Sequence, residues 1–297
     1  MKNYEIVKFI AVCLVLNSQC AQESSVKRIK LEEAPEAIKQ DAVLKGHPHH
    51  PKNIARYLVS GQTDPSAHEV FRNSLFPPPL SIKSKNAKMI ENLVPKILHP
   101  EKIRSVLIVD SKLAKFNWAV FKPFVNIKKL VLENCQLTEV PEQIEQLVKL
   151  QILNLSENDL SGASNWHLLP KSLEELDLAD TRIDAVPEEI ADLSKLRELS
   201  LAGNLFSDEE MENWVEILPK ALQSIDLRAC DLSDLPDVLF DLPNLKEINL
   251  RGNSLEQVEG KDWEELVAKL PYLTTLHVDQ GVKDNMPLFE NRHLVVP

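Results

Sequence analysis

The stretch Leu150-Gln-Ile-Leu-Asn-Leu-Ser-Glu-Asn-Asp-Leu160 and its counterpart Leu245-Lys-Glu-Ile-Asn-Leu-Arg-Gly-Asn-Ser-Leu255 share one frame, L-x-x-L-x-L-x-x-N-x-L. The same frame occurs eight times in residues 103–297, at intervals of 23 to 28 residues. The copies begin at Ile103, Ile127, Leu150, Leu173, Leu196, Leu222, Leu245 and Leu273. Self-similarity at this period predicts an array of stacked structural units.

The apolar positions of the frame predict how each unit folds. Apolar residues at positions 4 and 6 alternate with polar ones, which predicts a short strand with one face turned inward. All copies run in the same direction, so their strands pair in parallel and each unit buries its neighbour. Position 9 holds Asn158, Asn204 and Asn253, and we expect each amide to bond the backbone of its own turn and of the next repeat. Other copies fill that position with Ser111, Cys135, Thr181, Cys230 and Gly281.

The frame resembles that of the leucine-rich repeat proteins, whose units of 20–29 residues build a horseshoe. The resemblance covers about two-thirds of the chain, from residue 103 to residue 297. It implies an α/β leucine-rich repeat solenoid with a parallel concave sheet, and a protein that recognises other proteins on that sheet.

A second period runs above the first, because alternate copies differ after the strand. Residues 140–147, 186–193 and 235–242 resemble the L-P-x-x-I-x-x-L type of leucine-rich repeat, in which proline opens a short helix on the convex side. The intervening copies carry all four tryptophans of the chain, Trp118, Trp166, Trp214 and Trp263. Their recurrence at one place in the frame favours packing on the convex side over a binding stripe. The predicted unit is therefore a pair of repeats.

The first twenty residues have the layout of a signal peptide. A weakly basic start is followed by the uncharged apolar run of residues 9–16, and Ser18 and Cys20 place small residues before Ala21. The run is too short to span a bilayer as a helix. We therefore predict cleavage near Ala21 and a secreted chain without a membrane span. The alternative is that residues 1–20 form an ordinary helix or strand of a cytosolic protein.

Residues 21–102 lack the repeat frame, and we predict a small, mainly helical region there, with a helix over residues 26–44 and a capping helix near residues 86–98. Repeat arrays need such a cover because a terminal strand exposes an apolar face and an unpaired edge. Apolar residues within 286–296 are suited to a similar role at the other end. The predicted organisation is a leader over 1–20, this region over 21–102 and the repeat domain over 103–297.

Composition and motifs argue against several classes of function. The chain carries 34 basic and 45 acidic residues, a net charge of −11, which disfavours binding to the phosphates of nucleic acids. Phosphate-binding glycine loops, zinc-protease motifs, nucleophile elbows and C-x-x-C pairs do not occur. His47, His49 and His50 lie beside Pro48 and Pro51 without a neighbouring cysteine, which favours a solvated loop over a metal site. We expect no cofactor, no metal and no catalysis.

Cleavage near Ala21 would leave Cys135 and Cys230. They lie four repeats apart, which at the spacing of parallel strands is roughly 19 Å, whereas a disulfide requires Cα atoms within about 7 Å. We therefore expect no intrachain disulfide. Neither cysteine has an adjacent histidine, which favours a buried structural role over a reactive thiol.

Positions 3, 5 and 7 of each copy project from the concave side of the predicted sheet, where they are free to vary without harming the core. These positions are apolar in the first copies, acidic in the middle and arginine-bearing toward the end. The predicted binding residues are Asn154, Glu175, Asp177, Glu198, Asp226, Arg228, Asn249 and Arg251. The competing interpretation is that Asp226, Arg228 and Arg251 only neutralise one another on a solvated surface.

Three functions are compatible with these observations, in descending order of support. The first is a secreted, non-enzymatic protein that binds another protein on its concave face. The second is a cytosolic signalling scaffold, because the L-P-x-x-I-x-x-L copies look like those of intracellular Ras-pathway leucine-rich repeat proteins. The third, an enzyme resembling bacterial repeat effectors with a ubiquitin-ligase domain, is poorly supported because residues 21–102 contain no cysteine.

Overall fold

The computed structural model describes residues 10–15, 54–59, 80–83, 87–97 and 100–287. Within these ranges the chain forms one sheet of eleven strands. The strands are β1 (Ile10–Val15), β2 (Ile54–Val59), β3 (Leu80–Lys83), β4 (Ser105–Val109), β5 (Lys129–Val131), β6 (Ile152–Asn154), β7 (Glu175–Asp177), β8 (Glu198–Ser200), β9 (Ser224–Asp226), β10 (Glu247–Asn249) and β11 (Thr275–His277). Strands β3 to β11 are parallel and follow chain order, whereas β1 lies between β3 and β2 and is antiparallel to both.

The eight strands β4 to β11 lie in the register that the frame predicts. Each begins two residues after the first residue of its copy, and its position-4 residue faces the core. Leu153, Leu176 and Leu199 are directly paired across β6, β7 and β8, and each is at most 2% exposed. The predicted α/β leucine-rich repeat solenoid is confirmed by this geometry.

Short helical segments cover the other side of the core. The α-helices are α1 (Ala87–Leu93), α2 (Asp208–Glu212), α3 (Trp214–Ile217), α4 (Gly260–Lys269) and α5 (Gln280–Asn285). The 3₁₀ helices are Val94–Lys96, Pro100–Lys102, Trp118–Phe121, Glu142–Gln146, Trp166–Leu168, Glu188–Asp192 and Asp237–Asp241. None of the helices in the described ranges is both long and apolar enough to cross a membrane.

The two kinds of repeat differ in this helical layer, as the second period predicts. In the proline-containing copies, Pro141, Pro187 and Pro236 each precede a 3₁₀ helix, with φ between −57° and −59°. In the other copies the tryptophan opens or lies within the helical segment, and Trp214 and Trp263 are at most 1% exposed. The prediction that the tryptophans pack on the convex side is confirmed.

An asparagine at position 9 joins neighbouring repeats through buried hydrogen bonds. The Oδ1 atom of Asn204 accepts from the backbone N–H groups of Thr181 (3.1 Å) and Ile183 (3.2 Å). Its Nδ2 atom donates to the carbonyl oxygens of Leu178 (2.8 Å) and Leu201 (2.9 Å). The same four bonds are made by two further side chains, Asn158 and Asn253.

The direction of these bonds corrects the prediction. The asparagine was expected to reach the next repeat, but it reaches the preceding one, because the turn of that repeat presents two backbone N–H groups within bonding distance of position 9. Position 9 of the preceding repeats is occupied by Cys135, Thr181 and Cys230. Each asparagine therefore closes a pair of repeats, which gives the two-repeat period a physical basis.

The two cysteines of the repeats are both free and buried. The Sγ atom of Cys135 lies 3.2 Å from the carbonyl oxygen of Ile108, and that of Cys230 lies 3.4 Å from the carbonyl oxygen of Leu201. Each thiol therefore bridges to the repeat before its own. Burial raises the pKa of Cys135 to about 12 and that of Cys230 to about 11, so both thiols remain protonated and unreactive near neutral pH.

A chain that begins near Ala21 should melt at the same temperature with and without a reducing agent. Its repeat cysteines, Cys135 and Cys230, are free thiols, so no crosslink restricts the unfolded state. Calorimetry of the chain with and without a phosphine reductant would measure this. A drop of several degrees on reduction would contradict the repeat register.

The region before the repeats is only partly described. Helix α1 lies within the segment expected to form a cap, and Ile90 and Val94 belong to the same core as the repeats. Residues 21–102 were predicted to be mainly helical, but they also contain the strands β2 and β3. β1 falls in the predicted signal peptide. The predicted helix of residues 26–44, the three histidines of 47–50 and residues 288–297 lie outside the described residues.

Candidate binding surface

The concave face is the side of β4 to β11 that carries positions 3, 5 and 7. Across β5 to β9 this face forms an open groove with a volume of about 320 Å³, here called the concave groove. Five predicted binding residues line it: Asn154, Glu175, Asp177, Glu198 and Asp226. The other three, Arg228, Asn249 and Arg251, lie outside its lining, toward the C-terminal end of the sheet.

The sequence prediction missed part of the groove lining. Lys129, Val131, Ile152, Ser200 and Ser224 also line the concave groove. All five occupy positions 3 or 5 of the frame, so the frame itself contains the signal that identifies them.

Asp177 lies at the centre of a hydrogen-bonded row along position 5. Its Oδ2 atom accepts from Nδ2 of Asn154 at 2.8 Å, and its Oδ1 atom accepts from the backbone N–H of Ala179 at 3.0 Å. Burial raises the pKa of Asp177, and the nearby Asp226 raises it further, against the opposing effects of the bonds from Ala179 and Ser200. The row holds this carboxylate in a fixed orientation at the floor of the groove.

Asp226 and Arg228 form an ion pair at the edge of the groove. The Nε atom of Arg228 lies 2.9 and 3.0 Å from the two carboxylate oxygens of Asp226, and an Nη atom lies 2.8 Å from one of them. This contact raises the pKa of Arg228. Asp226 and Arg228 therefore neutralise each other. The Nε atom of Arg251 lies 3.5 Å from the carbonyl oxygen of Val278.

Glu175 and Glu198 are paired side by side at position 3 of adjacent strands. Like charges directly opposite each other on a sheet are destabilising. Burial raises the pKa of Glu175, and the charge of Glu198 raises it further, while Lys129 opposes the shift. The acidic half of the groove therefore carries electrostatic repulsion in the unliganded chain.

Replacing Glu175 with glutamine should stabilise the chain at pH 7. Because the pKa of Glu175 is higher in the folded state than its usual value of 4.5, stability falls as pH rises from about 4.5 through the folded-state pKa and then stays constant. The side chain is partly exposed, so we expect a gain below about 1 kcal/mol that disappears under pH 4 or thereabouts. Urea unfolding at several pH values would measure this.

Glu188→Gln is the matched control for that prediction, because Glu188 is exposed in a 3₁₀ helix away from the sheet. Its stability should follow the parent chain at every pH. A Glu175→Gln chain that is less stable than the parent at pH 7 would mean that Glu175 makes a favourable contact instead of a repulsive one.

At the C-terminal end of the concave face, His277 on β11 contacts Glu247 on β10. The His277 Nε2 atom lies 3.1 Å from Oε1 of Glu247. The Nδ1 atom is buried without a hydrogen-bond partner among the described residues. His277 occupies position 5 of the last copy and is not among the predicted binding residues.

No group of three or more His, Cys, Asp or Glu side chains suited to a metal ion occurs in the part of the chain that the structure describes. The four carboxylates of the groove are spread over the three strands β7, β8 and β9 and do not converge on one point. What the arrangement provides is a polar and apolar surface of defined shape. The groove presents hydrogen-bonding groups, carboxylates and apolar side chains on one open surface.

The fold defines the class of the protein, a leucine-rich repeat solenoid with an open parallel sheet. Three solved leucine-rich repeat structures are similar to it. An internalin of Listeria monocytogenes is 21% identical with a TM-score of 0.42, the match covering 60% of this chain and 48% of the internalin. Human 5T4, the trophoblast glycoprotein, is 23% identical with a TM-score of 0.48, covering 61% of this chain and 70% of that one.

The third, a leucine-rich repeat protein of Leptospira interrogans, is 20% identical with a TM-score of 0.44, covering 66% of this chain and 64% of that protein. This chain spans about half the length of the internalin that it matches. No family model matches the sequence, and a search of curated proteins finds no significant match. The assignment of the fold therefore rests on the repeat geometry of the chain itself.

Proposed function

We propose that this protein is a non-catalytic recognition module that binds another protein on the concave face of its sheet. The observation that carries the proposal is the concave groove, in which side chains from five adjacent strands share one open surface. Positions 3, 5 and 7 contribute little to the leucine core, so their residues are free to serve binding. Extended concave surfaces of this kind are what solenoids use to hold partners.

We further propose that the chain is exported after cleavage near Ala21, on the basis of the layout of residues 1–20. The alternative, a cytosolic signalling scaffold, is favoured by one observation. Residues Ile10–Val15 pair with β2 and β3, and a chain cleaved near Ala21 would lose that strand. Sequencing the N-terminus of the native protein separates the two: intact Met1 in most molecules would exclude export by cleavage.

Substitutions on the two sides of the solenoid test the binding proposal. We would identify a partner by affinity capture with the immobilised chain and then titrate it against variants. Glu175→Ala and Glu198→Ala, which lie in the concave groove, should each weaken binding at least 10-fold, or about 1.4 kcal/mol, without lowering the melting temperature. Glu188→Ala is the control on the convex side.

The opposite pattern would contradict the proposal. If Glu188→Ala abolished binding while the concave variants bound normally, the binding surface would lie on the helical side. If the chain bound no protein but turned over a substrate, the non-catalytic assignment would fail.

A further inference from the structure

The concave groove has two chemically different halves. On β5 and β6 its lining includes two apolar side chains, the buried Val131 and the half-buried Ile152, beside Lys129 and Asn154. On β7 to β9 it presents four carboxylates, Glu175, Asp177, Glu198 and Asp226. Because the strands are in register, the two halves adjoin along the edge between β6 and β7. A ligand in the groove therefore meets apolar and anionic surface within one strand spacing, about 4.8 Å.

The negative charge of the groove is only partly compensated. Asp226 is paired with Arg228, and Lys129 is the one cation among the lining residues. Among the described residues, no ion pair joins Glu175, Asp177 or Glu198 to a cation. Their mutual repulsion is relieved when a positive charge enters between them, so the groove complements a cation.

The structure also favours one kind of cation, a lysine or arginine side chain, over a divalent metal ion. A divalent metal needs several oxygen ligands that converge at 2 to 3 Å, and no such cluster exists in the described part of the chain. Lysine and arginine instead carry their charge on an aliphatic stem, which packs on apolar surface while the head reaches a polar one. The juxtaposition of Ile152 and Val131 with the carboxylates fits such a side chain.

We propose that the concave groove recognises a basic segment of the partner protein. That segment packs an apolar side chain against Val131 and Ile152, and an adjoining lysine or arginine places its cationic head between Glu175 and Glu198, beside Asp177. This inference rests on the proposed binding function and specifies the chemistry of the partner. Nucleic acids and anionic lipid surfaces have the wrong sign of charge for this groove.

A random peptide library displayed on phage is the probe that tests this proposal. Selection on the immobilised full chain should enrich peptides in which lysine or arginine adjoins an apolar residue. A selected peptide, made synthetically, should bind the Glu175→Gln/Glu198→Gln double variant at least 10-fold more weakly, and its affinity should fall with rising salt.

The matched control is the double variant Glu188→Gln/Glu189→Gln, which removes two adjacent carboxylates from the convex side and should bind the peptide normally. Melting curves of both variants verify that each is folded. The groove variant should be at least as stable as the parent, because it removes the like-charge pair.

Three outcomes overturn the proposal. Selected peptides without a preference for cations, yet weakened by Ile152→Asp, would refute the basic partner and leave the concave binding function intact. Basic peptides that lose affinity for the convex variant and not for the groove variant would refute both. A selection without enrichment over the input library would refute recognition of a basic segment.

Discussion

Replacing Asn204 with alanine should lower the free energy of unfolding by about 3–5 kcal/mol, because it leaves several buried backbone groups without partners. The lost bonds are those to the N–H groups of Thr181 and Ile183 and to the carbonyls of Leu178 and Leu201. Asn204 is 1% exposed, so water does not replace them without opening the turn. Urea unfolding followed by circular dichroism would measure the loss.

Asn244→Ala is the matched control. Asn244 also donates a hydrogen bond from its amide to a backbone carbonyl, that of Lys220 at 2.8 Å, but it does so on the exposed surface. Water can take the place of that amide, so the expected loss is below about 1 kcal/mol. Equal losses in the two variants would mean that the amide of Asn204 does not connect its repeat to the preceding one.

Much of the repeat domain is predictable from the sequence, because one frame repeated eight times fixes both the strand positions and the face that each side chain occupies. A single copy is ambiguous between a strand and a short buried helix, but eight copies with the same alternation are not. The side-chain period of two then assigns Leu176 to the core and Asp177 to the concave face.

The turn geometry after each strand is not predictable in the same way. Position 8 of seven copies has φ between 51° and 73°, in the left-handed region, and the residues there are Asp110, Asn134, Glu157, Asp180, Gly203, Ala229 and Gly252. A glycine at position 8 would predict such a turn from the sequence, but only two copies have a glycine there. The stacking of neighbouring repeats imposes the same left-handed conformation at position 8 of each copy. The sequence of a single copy does not contain this constraint.

The sequence also does not predict which strands line the groove. The frame places positions 3, 5 and 7 of every copy on one face, but it does not show where adjacent side chains leave a depression and where they fill it. Arg228 turns back onto Asp226, so the depression ends at β9. That closure depends on side-chain conformations and not on the repeat pattern.

Leu199 and Ser200, neighbours on β8, give the sharpest test of the register. Leu199 is 2% exposed in the core, so Leu199→Ala should cost about 2–5 kcal/mol through lost burial and the cavity left behind. Ser200 lines the concave groove and its hydroxyl bonds only the carboxylate of Asp177 there, so Ser200→Ala should cost no more than about 1 kcal/mol. Urea unfolding of both variants under identical conditions would measure the difference.

The pair is informative because a shift of one residue in the strand would exchange the two faces. In that case Ser200→Ala would be the more disruptive change, and the side chain of Leu199 would project into the groove instead of the core. The Ser200→Ala chain should instead stay folded while the pKa of Asp177 rises further, because the hydrogen bond from Ser200 lowers it. Carboxyl titration by NMR would detect that rise, which ties the register of the core to the electrostatics of the concave groove.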